Sequence, residues 1–192
     1  MDELEDLVDA LSPVVSALRG LGVRHYVGGS VASSFHGAAR STMDVDLVCE
    51  LTEDGICPFI QSIGTDYYAS ETAMREAVRR KACFNLIHLP TSFKVDVFVS
   101  RGRPFDVESM ERASMQRIGE TRFVELAICT AEDSIISKLE WYRLTNETSE
   151  RQWDDVSRVL DVLGEDVDCT YLFRAAQSVG VEDLLTRQMD GR

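Results

Sequence analysis

Residues 26 to 46 read YVGGSVASSFHGAARSTMDVD. A short apolar run, His25 to Val27, ends in a Gly-Gly-Ser sequence, and small residues compatible with a helix follow as far as His36. The stretch closes on two aspartates at the start of a second apolar run, Val45 to Leu51, which contains β-branched residues. This pattern predicts a strand, a glycine turn and a helix, then a second strand with both faces largely covered.

The aspartates are the first candidates for chemistry. Asp44 and Asp46 are two residues apart on a predicted strand, so both carboxylates face the same way. Asp96, inside a later apolar run, joins them if the two strands are neighbours. Three carboxylates on a rigid sheet suit Mg²⁺, which binds carboxylates together with substrate phosphates, and two such ions activate a hydroxyl and neutralise a phosphoryl centre. Salt bridges from the aspartates to arginines are the structural alternative.

The glycine turn supplies a complementary candidate site. Gly28 and Gly29 allow the backbone to approach a phosphate closely, and Ser30 adds a hydroxyl donor at the start of the predicted helix. Arg40, four residues before the first aspartate, is expected to add a cation for the same phosphates. An ordinary tight turn is the alternative interpretation of the two glycines.

The rest of the first two thirds of the chain mixes strands and helices. Apolar residues at helical spacing predict an N-terminal helix over residues 3–21, which Ser12-Pro13 is expected to split. The other predicted elements are helices at about 54–63 and 71–80, strands at Cys83 to Leu89 and Phe93 to Ser100, and a hairpin around Gly119.

After Thr130 the pattern becomes helical. A capping box at Thr130 to Asp133 predicts the start of one helix, Ser149 that of another, and a last helix is expected from about Tyr171 to Met189. We therefore predict an α+β fold, a mixed sheet flanked by helices with a C-terminal helical region. Residues 1–128 are expected to form the core with its N-terminal helix, and residues 129–192 to pack on it.

Composition and charge exclude several classes of protein. The 192 residues include 20 Lys plus Arg and 33 Asp plus Glu, a net charge of −13, which opposes indiscriminate coating of nucleic acids. The five cysteines are scattered without a Cys-x-x-Cys pair, which does not favour a disulfide framework or a zinc site. The acidic N-terminus and the lack of a long apolar run predict a cytoplasmic protein with no membrane partner.

Together, Gly29-Ser30, Asp44-x-Asp46 and the separate Asp96 resemble the signature of the DNA polymerase beta-type nucleotidyltransferase superfamily, over residues 22 to 100. The resemblance implies the nucleotidyltransferase fold and an enzyme that transfers a nucleoside monophosphate from a nucleoside triphosphate to an acceptor. It also implies two Mg²⁺ ions, both bound by Asp44 and Asp46, with Asp96 completing the site near the acceptor hydroxyl. The glycine turn and Ser30 would then hold the β and γ phosphates.

Within that superfamily the sequence is most similar to abortive-infection-type nucleotidyltransferase toxins and their uncharacterised bacterial relatives. Their later motifs place a lysine on one helix and an aspartate on the next, which correspond here to Lys138 and Asp155. The resemblance implies that Lys138 contacts the nucleotide phosphates and that Asp155 assists the acceptor or metal side. Gln152 departs from the motif, because the family often has another aspartate at that position.

The acceptor and the biological role stay open at this point. The resemblance implies a tRNA end, a protein hydroxyl or a small molecule such as an aminoglycoside as the acceptor, and a toxin role implies an antitoxin partner. A housekeeping or resistance enzyme is one alternative. A non-catalytic nucleotide-binding module, or the antitoxin-like member of a pair, is another.

Overall fold

The computed structural model describes residues 3–38, 42 and 44–191. Helices and strands alternate through the first two thirds of the chain and helices alone form the last third, as the sequence pattern predicts. The described elements are α1 (Glu3–Gly20), β1 (His25–Val27), α2 (Gly29–Phe35), β2 (Asp44–Cys49), α3 (Ile56–Ile63), β3 (Tyr67–Ala69), α4 (Glu71–Arg80), β4 (Cys83–His88), β5 (Phe93–Val99), α5 (Pro104–Arg112), β6 (Ser114–Ile118), β7 (Val124–Ile128), α6 (Ala131–Leu144), α7 (Glu150–Leu163), α8 (Cys169–Val179) and α9 (Glu182–Asp190).

The strands form one mixed sheet in the order β3-β4-β5-β2-β1-β7-β6. The pairs β2/β5 and β1/β7 are parallel, and the remaining neighbours are antiparallel. The predicted α+β class with a mixed sheet is therefore confirmed. The parallel pair β2/β5 lies near the middle of the sheet, where it receives support from both sides.

The two faces of β2 and β5 differ, because successive side chains of a strand point to opposite faces. The odd-numbered residues of both strands are buried in the main core, which includes Leu11 of α1 and Phe59 of α3. The even-numbered residues are only partly buried. The prediction that both faces of β2 are largely covered is thus correct for one face alone, and the other face remains accessible.

The C-terminal helices build a second apolar cluster, which includes Ile135, Val156 and Leu172. Helix α2 packs against both β2 and α6 and so joins this cluster to the sheet. The hydroxyl oxygens of Ser33 and Ser134 lie 3.3 Å apart where α2 and α6 meet. These small side chains let the two helices approach closely beside the accessible face of β2.

Proline does not split the first helix. Helix α1 is continuous and carries Pro13 in its interior, so the expected break at Ser12-Pro13 is wrong. A proline inside a helix costs about 3 kcal/mol. Leu11, Val14 and Leu18 of the same helix are fully buried, and each stabilises the packed helix by roughly 2 kcal/mol. Their burial outweighs the cost of the proline.

The last predicted helix is also different in the structure. Residues 171–189 are divided between α8 and α9, because Gly180 adopts a left-handed conformation (φ 78°) and caps the end of α8. Two short elements, β3 and α5, were not predicted. Three residues are too few to show a strand period in β3, whereas Pro104 at the first turn of α5 was a usable signal.

None of the described helices combines the length and the hydropathy that a membrane span requires.

Candidate active site

Three aspartates lie side by side on the accessible face of the sheet. In the parallel register of β2 and β5, Asp46 is the partner of Asp96, and Asp44 is the partner of Lys94. The condition set by the sequence, that the two strands be neighbours, is therefore met. Asp44, Asp46 and Asp96 line one cleft with a volume of about 560 Å³.

Two of the three carboxylates are oriented by neighbouring side chains. The Thr42 hydroxyl donates a hydrogen bond of 2.5 Å to Oδ1 of Asp44. The ammonium Nζ of Lys94 lies 2.7 Å from Oδ2 of Asp96. The other oxygen of that carboxylate, Oδ1, is buried and has no hydrogen-bond partner within the described residues. A buried carboxylate oxygen without a donor is costly, and a bound cation would satisfy it.

Asp46 occupies the centre of this group. Burial raises the pKa of its carboxyl to about 6, and the negative charges of Asp44 and Asp96 act in the same direction. The arrangement therefore concentrates negative charge that the described residues only partly neutralise. Such a perturbed carboxyl in a cleft is typical of a functional site.

The donor set fits Mg²⁺, which prefers hard carboxylate oxygens. Among the described residues, no group of three or more His, Cys, Asp or Glu side chains is already arranged so that it could hold a metal ion. Like charges repel at short distance, and Thr42 and Lys94 hold two of the three carboxylates by hydrogen bonds. The observations that support the fit are the unpaired Asp96 Oδ1 and the raised pKa of Asp46.

The glycine turn packs directly on the central aspartate. The backbone N–H of Gly28 donates a hydrogen bond of 2.9 Å to the carbonyl oxygen of Asp46. Gly29 has a φ of 56°, and a Cβ atom there would lie 1.7 Å from Oδ2 of Asp46. Ser30 follows as a buried residue that lines the same cleft. The turn and the carboxylates are therefore one structural unit.

Gly29→Ala is expected to lower the free energy of unfolding by roughly 2 to 4 kcal/mol, because the methyl group adds left-handed strain and collides with Asp46. Urea unfolding measures this difference. Gly180→Ala is the matched control, since Gly180 has a φ of 78° and a Cβ atom added there would meet no heavy atom within 4 Å. It should lose only the strain, about 1 to 2 kcal/mol. Equal losses in both variants would contradict the close packing of Gly29 on Asp46.

Helix α6 forms another wall of the cleft and contributes Lys138. Its Nζ lies 2.8 Å from Oδ2 of Asp155 and 3.2 Å from Oε1 of Gln152, both on α7. Lys138 and Asp155 are 3% and 2% exposed, respectively. The side-chain amide of Gln152 thus gives the lysine a second oxygen acceptor without a second negative charge.

The structure brings most of the sequence-predicted site residues together. Asp155 is the exception, since it is not among the described residues that line the cleft and instead pairs with Lys138 behind its wall. Arg40 lies outside the described residues. The residues that are brought to the cleft are Gly28, Gly29, Ser30, Asp44, Asp46, Asp96 and Lys138.

An arginine and carboxylate network closes one end of the cleft. Arg103 contacts Glu140 (2.6 Å) and Asp106 (2.8 Å), and Arg101 lies 3.2 Å from Glu140. These hydrogen bonds raise the pKa of Arg103. The network was not predicted, because Arg103 and Glu140 are 37 residues apart and no local pattern connects them.

Two aromatic rings add an apolar surface near the same end. Phe98 on β5 and Trp141 on α6 line the cleft and meet edge to face, with ring centroids 5.9 Å apart. Trp141 is 46% exposed. Helical spacing alone does not indicate this exposure in the cleft.

Comparison with known proteins identifies the fold. The sequence matches no family model and no curated protein. Similar solved structures include an antigenic nucleotidyltransferase-like protein from Paracoccidioides brasiliensis (15% identity, TM-score 0.56), with 98% of this chain and 90% of that chain covered.

Two structures of the antibiotic-resistance factor ANT(2'')-Ia are also similar. Its solution structure matches with 12% identity and a TM-score of 0.52, over 100% of this chain and 95% of that chain. Its crystal structure in complex with adenylyl-2''-tobramycin matches with 10% identity and a TM-score of 0.53, over 94% and 98%. The described chain therefore has the nucleotidyltransferase fold.

Proposed function

We propose that this protein is a metal-dependent nucleotidyltransferase that transfers a nucleoside monophosphate from a nucleoside triphosphate to a hydroxyl acceptor. One observation carries the proposal. The parallel pairing of β2 and β5 aligns Asp46 with Asp96 beside Asp44, in the cleft that the glycine turn and Lys138 also line. The fold shared with nucleotidyltransferase-like proteins supports the same conclusion.

In this proposal Asp44 and Asp46 hold two Mg²⁺ ions, and Asp96 completes the site. The bound ions supply Lewis-acid chemistry, lowering the pKa of the attacking hydroxyl and neutralising charge on the phosphates. Asp96 receives the proton of the acceptor hydroxyl. The acceptor oxygen forms a bond to the α-phosphorus as the bond from that phosphorus to the leaving pyrophosphate breaks.

The phosphates are assigned to the glycine turn beside the carboxylates and to Lys138 on α6. The Ser30 hydroxyl and the backbone of Gly28 and Gly29 hold the β and γ phosphates, and Lys138 adds a positive charge from α6. Arg40 is proposed to assist them. Asp155 is proposed to act through Lys138, since the pair is buried and separated by 2.8 Å. Phe98 and Trp141 offer a flat apolar contact for the nucleobase.

Three classes of acceptor are candidates for the experiment: an aminoglycoside, tRNA and protein. ANT(2'')-Ia forms a complex with adenylyl-2''-tobramycin, which motivates an aminoglycoside as one trial acceptor. The resemblance to abortive-infection-type toxins motivates tRNA and protein as others, and an antitoxin as a partner. Growth on expression, with and without the product of an adjoining gene, separates a toxin from a housekeeping or resistance enzyme.

The deciding experiment incubates the protein with each α-labelled nucleoside triphosphate and Mg²⁺, alone and with tRNA, cell extract or tobramycin. Label is expected to move to one acceptor class with the wild type and not with an Asp44→Ala/Asp46→Ala control. Label transfer by the control would contradict the assignment of the aspartates. Nucleotide binding without transfer to any acceptor would instead favour the non-catalytic nucleotide-binding module.

A further inference from the structure

Lys94 is the one charged residue on the site face of β5 that the proposed reaction does not use. It lies two residues before Asp96 on the same face and is the register partner of Asp44 on β2. Its Nζ lies 2.7 Å from Oδ2 of Asp96. A positive charge is thus built into the row of carboxylates itself.

Three cations that line the cleft are engaged elsewhere. Arg101 and Arg103 contact Glu140, and Lys138 contacts Asp155. Among the ion pairs of the described residues, Lys94–Asp96 is the one that joins a cation to one of the three aspartates. Its side chain is 41% exposed, whereas that of Asp96 is only 14% exposed. The ammonium can swing into solvent, but the carboxylate is confined to the cleft.

The mobile Lys94 ammonium and a bound metal ion would compete for the Asp96 carboxylate. A divalent cation that uses both oxygens of Asp96, or the oxygen nearest Lys94, meets an ammonium already bound at 2.7 Å. Two cations at that distance from one oxygen repel each other strongly. The lysine is the mobile partner, so it is the group that moves.

This inference rests on the proposed function. We propose that Lys94 is the resident counter-cation of the three-aspartate site. A divalent metal ion displaces it from Asp96, and this competition sets the metal affinity. Lys94 is then a positioning residue that acts through Asp96. Before metal binds, it keeps the carboxylates together. After metal binds, its ammonium is released toward solvent.

The test measures binding of Mn²⁺ alone by titration calorimetry to the metal-free full chain. Lys94→Gln is expected to bind Mn²⁺ roughly three- to tenfold more tightly, because the competing charge and its ion pair are gone. The melting temperature of this variant should be lower than that of the wild type in EDTA, and its rise on adding Mn²⁺ should be larger. Neither measurement requires turnover.

Two control variants separate competition from other effects. Lys94→Arg keeps the charge and should bind Mn²⁺ like the wild type. Lys81→Gln removes a charge from a residue that lines the cleft, one with no ion pair among the described residues, and should change the affinity less than Lys94→Gln. Equal or weaker Mn²⁺ binding by Lys94→Gln would overturn the inference. Loss of Mn²⁺ binding in the wild type as well would instead remove the metal site of the proposed function, and the inference with it.

Discussion

Asp46→Asn is expected to lower nucleotidyl transfer by at least about 1,000-fold, because it removes a metal ligand worth several kcal/mol of transition-state stabilisation. The same change should raise the free energy of unfolding at pH 7 by roughly 1 to 3 kcal/mol in the absence of metal. The Asp46 carboxylate is repelled by the negative charges of Asp44 and Asp96, whereas a neutral amide in its place is not. A more stable but inactive protein is the expected signature of a residue that serves chemistry at the expense of stability.

The pH dependence follows from the raised pKa of Asp46. The pKa of about 6 in the folded chain lies above its ordinary value of 3.8, so the folded state binds the proton more tightly than the unfolded state. The contribution of this group to stability is therefore full below pH 3.8 and is lost as the pH rises through 6. The advantage of Asp46→Asn over the wild type should grow between about pH 4.5 and about pH 7.5.

Urea unfolding of both proteins in EDTA at these two pH values measures the effect, with the exposed Asp54→Asn as the matched control. The control should leave transfer intact and show no comparable growth with pH. Wild-type rates of transfer by Asp46→Asn would refute the proposed mechanism. A stability difference that is equal at both pH values would refute the electrostatic account of Asp46.

Lys138→Met is expected to cost about 3 to 5 kcal/mol of unfolding free energy, because it leaves the carboxylate of Asp155 buried without its ammonium partner. The two side chains are almost completely buried and 2.8 Å apart. Screening by solvent is weak there, in contrast to the exposed ion pairs of the surface. This is the largest stability loss that we expect from a single substitution in the cleft.

The double variant Lys138→Met/Asp155→Leu separates stability from chemistry. Removing both charges should restore a large part of the stability, since apolar residues often replace a buried ion pair at little cost. Transfer should remain low, because the positive charge proposed to face the phosphates is absent. Urea unfolding and the labelled transfer assay measure the two effects. Full transfer by the folded double variant would refute the role of Lys138 in phosphate binding.

The sequence was most informative where the chemistry depends on local spacing. Asp44 and Asp46 share a face because they are two residues apart, and Gly28 to Ser30 form a turn because glycine punctuates the pattern. Both were therefore predicted. Lys94 has the same spacing from Asp96, so the sequence also carries the signal for their pairing.

Features that depend on long-range packing were beyond such reasoning. Asp96 was placed on a strand by its apolar neighbours, but only the pairing of β2 with β5 aligns it with Asp46. The contact of Lys138 with Asp155 depends on how α6 meets α7, and a helical pattern does not determine that geometry. For the same reason the exposure of Trp141 was not predicted.

Along β2 and β5, odd-numbered residues pack in the core, whereas even-numbered residues lie on the face that carries the cleft. Val45, Leu47 and Val95 are fully buried and hold the sheet to its core, whereas Asp44 and Asp96 face the cleft. Selection can therefore exchange even-numbered residues outside the proposed metal site, such as Phe98, for new specificities without disturbing the odd-numbered ones. Such independence makes these strands a suitable scaffold for a mutational library confined to cleft positions, in which most members would still fold.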